Sequence, residues 1–153
     1  MPSELTWLID RFVSQGVFEH DKRPQYCIVN EYVGAQGISA HTSVLLYCLV
    51  QRLISSDREN FSFGEPVVGL SLLSTCSMRF IELSKPDGGS VRSGKAAQAE
   101  KTGKKVDVTL PGRSLCIMRG KSRWEWQHEI LRSAKGRGES WKRVSLTFRW
   151  KKE

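Results

Sequence analysis

The sequence has little of what marks a secreted, zinc-stabilised or membrane protein. Its 153 residues include only four cysteines, and Cys27, Cys48, Cys76 and Cys116 are scattered without a C-x-x-C pair. No secretory leader is recognisable, so we expect a reduced, intracellular protein of the cytoplasm and/or nucleus, without a zinc site. The longest apolar run, residues 44–50, is too short to cross a bilayer, and we expect no membrane partner.

Composition and charge narrow the class further. A chain of 153 residues with 39% hydrophobic residues can bury a core, so we predict a single domain over residues 1–153. The net charge of +8 and the isoelectric point near 9.6 favour an anionic partner such as nucleic acid. Basic charge also serves solubility, so charge alone does not establish that partner.

Short segments with strand character dominate most of the chain. Separated by Gly, Pro and Ser, they predict a mainly β protein, a sandwich or barrel of the jelly-roll type. The predicted strands are residues 25–33, 66–74, 77–83, 106–110, 113–119, 124–128 and 142–150.

The N-terminal segment predicts one short amphipathic helix. Five apolar residues between Leu5 and Val13 recur at helical spacing, with Ser3 as a candidate cap and Gly16 as a candidate stop. We expect Trp7 to pack on the apolar side of this helix rather than to stack on a base.

Two segments do not fit a succession of strands. Residues 85–105 are polar, rich in Gly, Ser, Ala and Lys, and lack apolar periodicity, which predicts a long mobile loop. Residues 43–56 (SVLLYCLVQRLISS) form an apolar, helix-compatible block directly after His41-Thr42.

The segment from Arg143 to Arg149 alternates polar and apolar residues with period 2, which predicts a strand. Its polar face carries Arg143, Ser145, Thr147 and Arg149. Two guanidiniums with hydroxyls between them suit an extended dicarboxylate, because Arg offers carboxylates a rigid fork of donors. The alternative is an edge strand with a basic, solvated face.

Three histidines are present, at His20, His41 and His128. His20 lies in a charged turn and is expected to be solvated, whereas His41 follows a Gly-rich turn. Period 2 in residues 124–128 places Trp124, Trp126 and His128 on one face. Two histidines and a carboxylate form the facial triad of non-heme Fe(II) oxygenases, although either histidine alone could be a core or surface residue.

Asn30 and Tyr32 add a further element, because they lie two residues apart on one predicted strand face. Their amide and phenol groups could hydrogen-bond a carboxylate. Three motifs follow one another along the chain: Asn30-x-Tyr32-x-Gly-x-x-Gly-Ile-x-x-His41, Arg-x-x-Trp-Gln-His128 and the Arg143 to Arg149 strand. Their order resembles that of the AlkB family of Fe(II)/2-oxoglutarate dioxygenases. Residues 68–72 (VGLSL) and 110–115 (LPGRSL) match as well. The resemblance covers residues 25–150.

The resemblance implies a double-stranded β-helix (jelly roll) that holds Fe(II) and takes 2-oxoglutarate as co-substrate. The implied iron ligands are His41, Asp57 and His128. The implied 2-oxoglutarate contacts are Asn30, Tyr32, Arg143 and Arg149. Arg143 would pair with the far carboxylate and Arg149 would lie toward the iron end, while Ser145 departs from members that carry an amide at that position.

The sequence departs from the family at the second iron ligand. The family has His-x-Asp, whereas this chain has His41-Thr42-Ser43. Removing residues 43–56 would join His41-Thr42 to Asp57 and restore the motif. We therefore hypothesise a motif-splitting insertion, an unspliced short intron or an isoform-specific segment. The insertion could loop out and return Asp57 to His41, or it could leave a site with two histidines.

The resemblance implies a dioxygenase that demethylates or hydroxylates a modified base in RNA or DNA. The expected partners are O₂, 2-oxoglutarate and nucleic acid, and we expect a monomer. One alternative is a catalytically impaired AlkB-fold binding module, because the His-x-Asp motif is interrupted. Another is an oxygenase that acts on a protein or lipid.

Overall fold

The computed structural model describes residues 1–41, 63–84 and 99–152, and in these ranges two antiparallel sheets of four strands pack face to face. One sheet has the order β1-β8-β3-β6 and the other β2-β7-β4-β5. The strands are β1 Tyr26–Val33, β2 Ile38–His41, β3 Val67–Leu73, β4 Cys76–Leu83, β5 Lys101–Leu110, β6 Ser114–Met118, β7 Trp126–Ile130 and β8 Lys142–Arg149. The predicted mainly β, jelly-roll-like fold with a short N-terminal helix is confirmed.

The inner core lies between the sheets because period-2 alternation turns one side of each strand toward the other sheet. Tyr32 and Val67 come from the first sheet, and Phe80 and Ile130 come from the second. Gly37 precedes β2 where the chain runs against β7. A Cβ at Gly37 would lie 2.1 Å from the carbonyl oxygen of Ile130, so only glycine allows this approach.

The helix α1, Thr6–Ser14, covers the outer face of the first sheet. Its residues Leu8, Ile9 and Phe12 form a second core with β3 and β8, and the ring centroids of Phe12 and Phe148 lie 5.1 Å apart. The packed helix seals the outer side of β8, so both faces of that strand are covered.

The ends of this helix differ partly from the prediction. A 3₁₀ turn, Ser3–Leu5, precedes α1, and the Ser3 side chain does not cap the helix. Gly16 ends it as predicted, at φ 68°. The prediction for Trp7 was wrong: its side chain is 65% exposed. The apolar stripe of α1 turns toward the sheet, and Trp7 lies on the opposite side of the helix.

The start of one strand, β5, was predicted as part of a loop because its residues are polar. Strand β5 begins at Lys101 and not at Val106, so the predicted loop 85–105 was too long at its C-terminal end. Residues 101–109 are exposed, and such a strand lacks the apolar alternation that would reveal it. Residues 85–98 lie outside the described residues, as do the predicted insertion 43–56 and Asp57.

Two further elements were not predicted. Strand β2 occupies Ile38–His41, and a short helix α2 occupies Lys121–Trp124. Trp124 therefore belongs to α2 and does not share a strand face with His128, whereas Trp126 does. A second 3₁₀ turn spans His20–Lys22, and His20 is exposed there as predicted. Within the ranges described, no helix combines the length and apolar character that a bilayer crossing requires.

Candidate active site

Strand β8 is an inner strand and its arginine face is buried. It pairs with β1 on one side and β3 on the other, which rules out the alternative of an edge strand. Arg143 and Arg149 are each only 2% exposed. Burying two guanidiniums is costly unless anions or hydrogen-bond acceptors meet them, so this face is suited to a buried anionic ligand.

Arg143 is held by protein groups. Its Nε and Nη2 donate to the Ser71 Oγ atom at 3.0 and 2.8 Å, and its Cζ lies 5.3 Å from the ring centroid of Tyr32. Burial raises the pKa of Tyr32, and the positive charge of Arg143 opposes that rise. The guanidinium is thereby oriented before any ligand arrives.

His41 and His128 meet across neighbouring strands. They are directly opposite in the β2–β7 register, and their ring centroids lie 4.4 Å apart. The Nδ1 atom of His41 lies 2.7 Å from the Ser39 carbonyl oxygen, an acceptor, which assigns the proton to Nδ1. The Nε2 atom of His41 is then the one with a lone pair for a metal.

Both imidazoles are held in the neutral form. Burial lowers the pKa of His41 to about 4; the bond to Ser39 opposes this effect and the charge of Arg149 adds to it. Burial also lowers the pKa of His128 well below its usual value, aided by His41 and Arg149. Neutral imidazole is the form that binds metal ions.

Arg149 lies near the histidines and, unlike Arg143, has donors without acceptors. Its buried Nε and Nη1 atoms have no hydrogen-bond partner in the part of the chain that is described. Burial, together with the charge of Arg123, lowers the pKa of Arg149 to about 9. The Asn30 Nδ2 and His128 Nδ1 atoms are likewise buried without a partner there. The Arg149 donors fit an anionic co-substrate beside a metal held by histidine.

One cavity joins the two histidines and the two arginines, and neither Asn30 nor Tyr32 lines it. Its polar lining consists of His41, His128, Arg143, Ser145, Thr147 and Arg149, and its apolar lining of Val67, Gly69, Met78, Leu110, Cys116 and Met118. The structure thus brings four predicted site residues to one cavity. Tyr32 belongs to the inner core beside Arg143, and Asn30 lies opposite Ser145 in the β1–β8 register.

The third predicted ligand, Asp57, lies outside the described residues. In ranges 1–41, 63–84 and 99–152, His, Cys, Asp and Glu form no group of three that could hold a metal ion. The described part of the site therefore brings together two imidazoles, His41 and His128, of the three predicted ligands.

Sequence reasoning missed the role of Ser71. It is 1% exposed in β3 and accepts both hydrogen bonds from Arg143. A lone hydroxyl in the apolar segment VVGLSLL was the available signal, because a buried polar group needs a partner. The contact of Phe80 with His128 was also missed; Phe80 lies opposite His128 in the β4–β7 register, and the two ring centroids are 5.9 Å apart.

Comparisons with known proteins agree with this geometry. A family model described as the 2OG-Fe(II) oxygenase superfamily matches residues 1–149. The chain is 28% identical over 130 residues to the Macaca fascicularis tRNA (carboxymethyluridine(34)-5-O)-methyltransferase ALKBH8, covering 85% of this chain and 14% of that protein. The Xenopus tropicalis protein of the same name is 29% identical, with 85% and 15% covered. The chain thus spans about a seventh of these relatives.

A viral relative and a solved structure cover more of their length. Uncharacterized protein L905 of Acanthamoeba polyphaga mimivirus is 25% identical over 158 residues, with 97% of this chain and 60% of that protein covered. The structure of OsALKBH1 superposes with a TM-score of 0.52 at 19% identity, covering 98% of this chain and 64% of the other, and shows a shared fold. The family resemblance predicted from the motifs is confirmed, and the chain belongs to the 2OG-Fe(II) oxygenase superfamily as an AlkB-like member.

Proposed function

We propose that this chain is an Fe(II)/2-oxoglutarate-dependent dioxygenase of AlkB type that demethylates or hydroxylates a modified base in RNA or DNA. The observation that carries the proposal is the single cavity with His41 and His128 together and arginines along one wall. Membership of the superfamily implies Fe(II) and 2-oxoglutarate, and the residues of this cavity fit both. The proposed compartment is intracellular, in cytoplasm and/or nucleus, and the proposed state is a monomer.

In this proposal each end of 2-oxoglutarate has its own partners. Arg143, oriented by Ser71, binds the far carboxylate through its remaining donor positions. Arg149 donates to oxygen atoms near the metal, which would satisfy its buried Nε and Nη1. Tyr32 packs beside Arg143, and the amide of Asn30 donates to the co-substrate from β1.

The metal would be held by His41, His128 and Asp57. Ser39 fixes the tautomer of His41, so its Nε2 atom is the donor. Fe(II) and 2-oxoglutarate, when bound, supply the oxidation: one atom of O₂ enters succinate with loss of CO₂, and the other enters a substrate C–H bond. Hydroxylation of an N-methyl group then releases formaldehyde. The apolar lining beside the ligands limits water access.

Two observations support nucleic acid as the substrate. The chain carries a net charge of +8, which favours phosphate-bearing partners. Relatives that match over 85% of the chain are named for an activity on tRNA. Their methyltransferase name belongs to proteins about seven times longer, and no methyl transfer is proposed for this chain.

The test is succinate formation from 2-oxoglutarate with Fe(II) and a methylated oligonucleotide. It compares the full chain with a variant lacking residues 43–56, in which His41-Thr42 joins Asp57 and the family motif is restored. We expect succinate from the shortened variant, and a lower yield from the full chain if the insertion displaces Asp57. The absence of succinate from both would rule out the enzyme, provided that both retain the β-rich circular dichroism spectrum.

The interrupted motif favours a second candidate function for the full chain. A site with His41 and His128 but without a carboxylate would hold iron weakly, since two ligands bind less tightly than three. The protein would then be an AlkB-fold module that binds nucleic acid without turnover. Succinate from the shortened variant alone, together with oligonucleotide binding by both forms, would support this candidate.

A further inference from the structure

Trp126 lies on the cavity side of β7, next to the histidine pair. Side chains two residues apart on a strand share a face, so Trp126, His128 and Ile130 point the same way. Ile130 belongs to the inner core and Trp126 packs against it, while His128 lines the cavity. The indole is therefore one side-chain step, roughly 7 Å along the strand, from the proposed metal ligand.

Charged and polar groups surround the outer side of this indole. Glu82 is directly opposite Trp126 in the β4–β7 register. Its carboxylate accepts a hydrogen bond from the Thr102 Oγ1 atom at 2.8 Å and lies 3.8 Å from the Lys104 Nζ atom. That ammonium lies 5.3 Å from the ring centroid of Trp126. The ring thus has apolar core behind it and a cation in front of it.

The strand that supplies this cation is accessible and basic. Residues 101–109 of β5 are all exposed, and β5 is an edge strand of its sheet. It carries Lys101, Lys104 and Lys105 within five positions. The Lys104 side chain is 61% exposed, so its contact with Trp126 is a weak surface interaction that a ligand can displace.

We propose that Trp126 is the stacking surface for a base of single-stranded nucleic acid next to the metal, and that Lys104 binds the adjacent phosphate. An aromatic face offers every base a partner, and a lysine on an exposed strand offers the backbone a cation. Glu82 and Thr102 are positioning residues that hold Lys104 beside the ring. The inference rests on the proposed function, because it names how the substrate of that same site is held.

The test measures binding without turnover. Fluorescence anisotropy follows a short, unmodified, fluorescein-labelled single-stranded RNA, and its DNA equivalent, on the full chain without iron. We expect Trp126→Leu to weaken binding roughly 5-fold to 100-fold, as loss of one stacked base predicts. Trp126→Phe keeps an aromatic face and should have an intermediate affinity. Trp7→Leu is the matched control, because Trp7 is exposed on the helix α1, and it should bind like the unmutated chain.

Lys104 is tested by the salt dependence of the same binding. Lys104→Gln should reduce the slope of log affinity against log salt concentration by about 0.7, the value for one phosphate contact on a single strand. Lys142→Gln is the matched control, since Lys142 pairs with Glu31 at 2.8 Å on the other sheet, and it should leave the slope unchanged.

Some outcomes would overturn the inference. The first is equal affinity of Trp126→Leu and Trp7→Leu for the oligonucleotide. The second is the absence of RNA or DNA binding by the unmutated chain. The third is displacement of RNA by poly-glutamate at equal charge, because this would indicate that the site binds an acidic protein segment. Succinate formation is measured in parallel for the unmutated chain and for the variant lacking residues 43–56. Trp126-dependent binding without succinate from either form would contradict the proposed enzyme and retain the stacking surface. Succinate formation with binding that does not depend on Trp126 would retain the enzyme and overturn the stacking surface.

Discussion

The two arginines of the cavity are held in opposite ways. Arg143 donates twice to Ser71 and lies beside the ring of Tyr32. Arg149, next to the histidines, has buried Nε and Nη1 atoms without a hydrogen-bond partner in the described residues. One end of the cavity is therefore organised by the protein itself, and the other has donors that suit a ligand.

This difference has an energetic consequence. A buried donor without an acceptor costs about 1–3 kcal/mol, and a buried cation beside Arg123 adds repulsion. The lowered pKa of Arg149, about 9, has the same cause, because burial disfavours the charged form. We infer that a ligand bound at the histidine end adds more to stability than one that contacts Arg143 alone.

The largest expected effect comes from removing one of the two histidines of the cavity. His128→Ala deletes one of the two imidazoles whose centroids lie 4.4 Å apart. In the variant lacking residues 43–56, we expect succinate formation to fall more than about 100-fold, since loss of even an outer-sphere partner costs 10- to 100-fold. Initial rates measure this, and His20→Ala, in an exposed turn, is the control. A His128→Ala protein as active as the control would remove the metal role.

The next largest effect concerns Arg143, at the end of the cavity that Ser71 and Tyr32 organise. Arg143→Met keeps most of the side-chain volume and removes the charge from a residue that is 2% exposed. We expect the KM for 2-oxoglutarate to rise at least about 30-fold, with a smaller change in kcat, because truncating a buried charge pair costs 2–5 kcal/mol. Kinetics at varied 2-oxoglutarate measure it. Arg132→Met, on an exposed residue, should leave KM unchanged, and an unchanged KM in Arg143→Met would refute the assignment.

Much of the strand that carries Arg143 and Arg149 could be predicted from the sequence, because side chains in a strand alternate with period 2. The alternation from Arg143 to Arg149 gave the strand, its faces and, within one residue, its bounds. The apolar stripe of α1 likewise predicted the helix, but not that Trp7 would face away from the sheet. Local periodicity therefore specifies elements better than it specifies individual exposed residues.

Contacts between distant strands could not be predicted in that way. Ser71 meets Arg143 only because β3 and β8 pair in one particular register. His41 and His128 were brought together by the family resemblance, and the β2–β7 register now places them opposite each other. The exposed start of β5, from Lys101, was predicted as loop because polar residues on both faces carry no period.

Ser71 provides a finer test of how the arginine end is organised. Ser71→Ala removes the acceptor of both Arg143 bonds and keeps the charge. We expect the KM for 2-oxoglutarate to rise about 5-fold, from roughly 1 kcal/mol, with kcat unchanged. Ser71→Thr retains the hydroxyl and should restore part of the affinity, while Ser77→Ala, on an exposed residue of β4, should have no effect. A fall in kcat alone would argue against a positioning role.

The smallest effect compares the two arginines directly, in the chain without iron or 2-oxoglutarate. Arg149→Met removes a buried cation with unpaired donors and its repulsion with Arg123, so we expect stabilisation of about 1 kcal/mol. Arg143→Met instead leaves the buried Ser71 hydroxyl without its donors and should destabilise by a similar amount. Thermal melting should show Tm shifts of about 3 °C with opposite signs. Tm shifts of the same sign would contradict the inferred difference between Arg143, which the protein itself holds, and Arg149, whose donors suit a ligand.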